Sequence, residues 1–135
     1  MRFKSDPKVA FLRGLPIFAD CSPSDLLEIA SVADEITLPA GKKLTTEGAS
    51  GEEFVLIAAG TAAVIRGGQV LANLGPGDVV GEIALLTDRP RSATVVTTST
   101  VTILVIARPS FRILMDRIPG LRPRLYAVVA LRGVS

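Results

Sequence analysis

Between residues 34 and 107 the chain is cut by glycines at 41, 48, 51, 60, 67, 68, 75 and 77 into short runs rich in valine, isoleucine, threonine and alanine. Runs of this kind suit strands, and glycine supplies the positive φ angles that tight turns require. The pattern predicts strands at residues 34–38, 43–46, 53–59, 62–66, 69–74, 92–98 and 101–107. The strongest single turn signal is Arg66-Gly67-Gly68-Gln69, because paired glycines permit a primed two-residue hairpin. So many short strands closing on one core point to a β-sandwich or jelly roll. At 135 residues and 48% apolar content, the chain suits one domain spanning residues 1–135.

Helical patterns flank this β region. Residues 7–13 form a short helix stopped by Gly14, and residues 15–18 read as an apolar connector. Ser22 is an N-cap with Pro23 at the first helical position, and Leu26, Leu27, Ile29, Ala30 and Ala33 keep an apolar face. After residue 107 a helix starting at Arg108 or Ser110 carries Phe111, Leu114 and Met115 on one side until Pro119 and Gly120 interrupt it. Residues 121–131 then present Leu125, Val128 and Val129, with Tyr126 and Arg132 nearby.

Histidine is absent, which removes more chemistry than any other count. Ser-His-Asp hydrolases, Cys-His proteases and metal-dependent jelly-roll enzymes all require an imidazole. The single cysteine, Cys21, has no internal partner for a disulfide, and an intracellular, cytoplasmic setting is expected. No basic, apolar and small-residue sequence of a secretion signal opens the chain, and no apolar run approaches the roughly 20 residues of a membrane helix. The net charge of +2 is unevenly spread. Six arginines follow residue 107 against one acid, Asp116, and a solvated helix face is preferred there to a nucleic-acid surface.

Within the segment 81–96, GEIALLTDRPRSATVV, the part between the strands predicted to end near residue 80 and to start near residue 92 is the one stretch in the β region that refuses a strand pattern. Residues 82–86 have helical composition and residues 87–90 read as a turn. A helix start offers unpaired N–H groups to an anion, Gly81 allows close backbone approach, and Arg91 supplies a permanently charged fork. Glu82 is then placed to bind a sugar hydroxyl. The plainer alternative is that Ile83, Leu85 and Leu86 plug one barrel end while Glu82 and Arg91 form a surface ion pair of little energetic weight.

GEIALL at 81–86 followed by PRSATV at 90–95 closely resembles the phosphate-binding cassette of the cyclic nucleotide-binding domain family. The likeness extends to LPIF at 15–18, to residues 38–64 and to LGPGDVVGE at 74–82. It implies a mainly β jelly-roll barrel with N-terminal helices, a short internal phosphate-binding helix and C-terminal helices. It also implies that Arg91 pairs with the cyclic phosphate, joined by the backbone N–H groups of Ala84 and Ser92, with Ala93 next in the cassette. Glu82 would accept from the ribose 2′-hydroxyl, and Gly81 and Ile83 would shape the ribose side by backbone contact. Ser92 leaves the base open; cyclic AMP is the expected ligand and cyclic GMP the weaker one. Tyr126, Leu125 and Arg132 are alternative candidates to cap the base.

The resemblance implies a sensor without catalysis, needing no metal or cofactor beyond its nucleotide. Its output would lie in an effector domain or protein outside this chain, and no helix-turn-helix follows to suggest DNA binding. Whether the chain self-associates, and whether it stands alone, are both open. The expected mechanical response is inward movement of residues 81–86, relaxation at Pro109 and Pro119-Gly120, and closure of the last helix over the base. A ligand-free jelly-roll interaction domain with a relic cassette is the alternative, and a cupin-type enzyme is disfavoured by the missing histidines.

Overall fold

The strand pattern resolves into two four-stranded antiparallel sheets, one with the strands at 34–38, 101–107, 53–59 and 79–80 side by side in that order, the other with those at 43–45, 94–97, 62–66 and 69–74. The computed structural model describes residues 6–80 and 90–132. In chain order the elements are α1 (Asp6–Arg13), a 3-10 turn (Pro16–Phe18), α2 (Pro23–Val32), β1 (Asp34–Leu38), β2 (Lys43–Thr45), β3 (Glu53–Ala59) and β4 (Ala62–Arg66). They continue with β5 (Gln69–Leu74), β6 (Val79–Val80), β7 (Thr94–Thr97), β8 (Val101–Ala107), α3 (Arg108–Arg117) and α4 (Leu121–Arg132). This is the jelly-roll arrangement with flanking helices that the sequence implies.

Strand alternation builds two cores. Val55 and Ile57 of β3, with Ile103 and Val105 of β8 and Val64 and Val95 of the facing sheet, fill the space between the sheets. The intervening residues Phe54, Leu56, Leu104 and Ile106 point the other way, into a second cluster roofed by the helices. A period of two along a strand produces this division without further instruction. Phe54 stacks on Phe111 of α3 with ring centroids 4.6 Å apart, fixing α3 against the sheet.

The helix ends follow their sequence signals. Ser22 accepts from the Asp25 N–H while the Asp25 carboxylate accepts from the Ser22 N–H, a reciprocal capping box behind Pro23. At the other end of α2, the Lys8 ammonium donates to the carbonyls of Ala30 (3.1 Å) and Ala33 (2.6 Å), satisfying groups that the helix leaves open. The connector at 15–18 closes as the 3-10 turn with Ile17 and Phe18 buried.

Three details differ from the sequence reading. The strand expected at 92–98 is shortened to Thr94–Thr97, because the backbone of residues 91–93 bonds to a loop and to side chains instead of a ladder. The strand expected at 43–46 ends at Thr45, where the pairing of β2 with β7 shifts register. The two-residue β6 carries no pattern of its own, yet it pairs Val80 with Val55 and leads the chain into residue 81.

Candidate functional site

Of the residues singled out from the sequence, Arg91, Ser92 and Ala93 fall among the described residues, whereas Gly81, Glu82, Ile83 and Ala84 lie outside them. The expected helix over 82–86 lies outside as well.

Arg91 enters at the open end of β7 and is only 7% exposed, so it is no surface charge. Its guanidinium Nη2 donates to the Glu53 carbonyl at 2.7 Å, where β3 begins. Its backbone forms a closed pair with the loop between β2 and β3: the Arg91 N–H donates to Ala49 O at 2.7 Å, and the Gly48 N–H donates to Arg91 O at 2.8 Å. Gly48 has φ +85°, a conformation that disfavours any side chain, and this lets the loop turn against Arg91. Desolvating a guanidinium is unfavourable unless acceptors or an anion meet it. A buried arginine at the rim of a barrel is thus suited to an anionic ligand.

The next residues are held as firmly. Ser92 O accepts from Arg66 Nε at 2.9 Å, and Ala93 O accepts from the buried Thr45 hydroxyl at 3.0 Å. The neighbouring Thr94 hydroxyl accepts from the Glu47 N–H at 2.9 Å. Residues 91–94 therefore run through a frame built from β2, the β2–β3 loop and the end of β4. The sequence reading missed Thr45, Gly48, Glu53 and Arg66 as supports. Each is brought in by tertiary pairing, and no local spacing announces it.

The same loop also contacts the start of α3. Arg108, the first residue of α3, donates through Nη1 to Gly51 O at 2.8 Å, and its N–H donates to Glu52 O at 2.9 Å. Segment 51–53 thus lies between Arg91 on one side and the start of α3 on the other.

Two of the three base-cap candidates have described side chains, and they differ in exposure. Leu125 is 0% exposed within the helix–sheet core, packed among apolar neighbours. Leu121, on the same helix, is buried as well. Tyr126 is 43% exposed, and the side chain of Arg132 lies outside what is described. Arg124 fastens α4 to the N-terminal 3-10 turn by pairing with the Asp20 carboxylate and donating to Pro16 O at 3.0 Å.

Among the described residues no group of three or more potential metal ligands assembles, and no helix is long and apolar enough to cross a membrane.

The sequence matches the family described as cyclic nucleotide-binding domain over residues 35–118. It is 32% identical over 125 residues to a cAMP-dependent protein kinase regulatory subunit of Hypocrea atroviridis, spanning 93% of this chain and 27% of that protein. Its fold is similar to the regulatory domain of Toxoplasma gondii PKA solved with cAMP, with TM-score 0.76 and 27% identity over 84% of this chain and 46% of that one. It is similar in fold alone to the regulatory subunit of a cAMP-independent protein kinase A from Trypanosoma brucei, with TM-score 0.81 and 21% identity over 90% of this chain and 45% of that one.

Proposed function

Because the chain belongs to the cyclic nucleotide-binding domain family, we propose that it is a non-catalytic sensor whose ligand is cyclic AMP, with cyclic GMP a weaker one. The observation that carries this reading is the buried guanidinium of Arg91, held at the entrance to β7 inside the PRSATV sequence. In this reading Arg91 pairs with the cyclic phosphate, and the N–H groups of Ser92 and Ala84 complete the anion site. Glu82 accepts from the ribose 2′-hydroxyl, while Gly81 and Ile83 supply the ribose wall. Two relatives support the ligand by name: one is a cAMP-dependent kinase regulatory subunit and the other a regulatory domain solved with cAMP.

The output is passed to an effector domain or protein, and the setting is cytoplasmic, consistent with the free Cys21. The moving part is the α3–α4 pair. Segment 51–53 touches both Arg91 and Arg108, so a phosphate that draws on Arg91 alters the seat of α3. For α4 to reach the base it must leave Asp20 and Pro16 and rotate at Pro119-Gly120, where Gly120 has φ +88°. Tyr126 is the exposed residue best suited to stack on the base in that state.

Calorimetry with cyclic AMP, cyclic GMP and 5′-AMP tests the reading. Wild type binds the cyclic nucleotides and discriminates against 5′-AMP. Arg91→Ala weakens cyclic AMP at least about tenfold, since a hydrogen bond to a charged group contributes roughly 1.5–3 kcal/mol. The alternative reading is a ligand-free jelly-roll interaction domain in which the cassette is a relic. Absence of heat from folded wild type with either cyclic nucleotide selects it.

A further inference from the structure

Three consecutive carbonyls, those of Arg91, Ser92 and Ala93, each receive a donor from a different part of the chain. Gly48 N–H meets the first at 2.8 Å, Arg66 Nε meets the second at 2.9 Å, and the Thr45 hydroxyl meets the third at 3.0 Å. Thr45 is buried, whereas Arg66 is an exposed side chain at the last position of β4. Ala62 and Val64 of that strand face the core between the sheets, and Arg66 continues the same row to the barrel end where Arg91 sits. The turn after it is fastened too, because the Gly67 N–H donates to the Glu47 carboxylate at 3.2 Å while the Glu47 N–H donates to the Thr94 hydroxyl.

Holding the Ser92 carbonyl fixes the plane of the Ser92–Ala93 peptide. That plane limits the rotation about Ser92, and so the directions in which its N–H and hydroxyl leave the chain. We propose that Arg66 is a positioning residue of the nucleotide site, acting through the Ser92 carbonyl. The proposal rests on the cyclic nucleotide reading above and adds to it a residue from a distant hairpin, outside the cassette. Arg66 acts by its Nε–H, and the test separates that donor from the guanidinium charge. Glutamine carries an N–H the same number of bonds from Cα as Nε, without the charge, so Arg66→Gln keeps the donor alone.

Cyclic AMP affinity is measured for wild type, Arg66→Ala and Arg66→Gln, together with the Ala93 amide resonance of each ligand-free protein. Arg66→Ala is expected to bind about fivefold more weakly, the range of one lost hydrogen bond, and Arg66→Gln to recover to within about twofold of wild type. The Ala93 amide shifts in Arg66→Ala and returns toward its wild-type position in Arg66→Gln. Unchanged affinity in Arg66→Ala, or an Arg66→Gln variant as weak as Arg66→Ala, overturns the proposal while leaving the nucleotide reading intact. Failure of wild type to bind overturns the nucleotide reading, and an unmoved Ala93 amide in Arg66→Ala overturns the positioning role by itself.

Discussion

Gly60 joins β3 of one sheet to β4 of the other, and its replacement by alanine gives a stability change whose parts can be separated. Its φ is +88°, and a Cβ built there would stand 2.3 Å from Thr100 O, 2.8 Å from Val101 Cα and 2.8 Å from Val101 Cγ1. Two of those three atoms are backbone, in the β7–β8 connection that Thr61 also grips through the Ser99 hydroxyl at 3.0 Å. Neither side can yield by rotating a side chain alone. Gly68 offers the control, with φ +81° and nothing within 4 Å of the added Cβ. Alanine at Gly68 meets only the left-handed backbone penalty, roughly 1–2 kcal/mol. Alanine at Gly60 meets the same penalty plus an overpacking strain of about 1–3 kcal/mol. Gly60→Ala should therefore lose about 2–5 kcal/mol, a large share of the roughly 5–15 kcal/mol that holds a domain folded. Urea unfolding followed by circular dichroism measures both variants, with unchanged m-values confirming that the folded state is compared fairly. If the two alanines destabilise equally, the close approach of the two sheet-crossing turns is wrong.

Arg108→Ala should lower stability by about 1–2 kcal/mol in urea unfolding, because it strips a donor from the buried Gly51 carbonyl. Asp20→Asn should change stability by less than about 1 kcal/mol, since Arg124 and Asp20 are both substantially exposed. It should nevertheless speed hydrogen exchange in α4; unchanged exchange there would show that the clasp does not restrain the helix. Burial, then Asp25, raises the Cys21 thiol above its ordinary 9.0, with Arg124 opposing and Asp20 adding to the rise. Alkylation should reach half its maximal rate above pH 9.0, and Asp25→Asn should bring that midpoint down. The sign for stability follows: the folded protein holds this proton more tightly, so the contribution is full below the unfolded pKa and fades as pH rises through the folded one.

Much of the β fold was legible because glycine and β-branched residues alternate in short blocks. The predicted strands 34–38, 53–59, 62–66, 69–74 and 101–107 coincide with β1, β3, β4, β5 and β8. The N-cap at Ser22 was legible from a small hydroxyl before proline, while its reciprocal partner Asp25 appears only in the structure. β6 was not, since two valines after a Gly-Pro-Gly-Asp turn make a strand only when β3 lies beside them. Shortening of β7 was equally hidden: SATVV from residue 92 reads as strand, but the backbone of residues 91–93 is claimed by Gly48, Arg66 and Thr45. Arg91 could be picked out because its sequence neighbours form a motif. Its supports could not, because Glu53 and Arg66 reach residues 91–92 only once the sheets have paired. Leu125 shows what a sequence leaves open: an apolar residue on the last helix suits either a ligand cap or the core, and here it is buried completely in the cluster roofed by the helices.

The account turns on whether an anion seats at the Arg91–Ala93 backbone. A two-dimensional amide and arginine side-chain NMR titration with cyclic AMP reads those atoms directly. The account predicts saturable shifts of the Ser92 amide and the Arg91 guanidinium, larger than those at the distant Ser22 cap and abolished for the Ser92 amide in Arg91→Ala. Resonances of Arg91 and Ser92 that stay fixed at saturating cyclic AMP and cyclic GMP would contradict it.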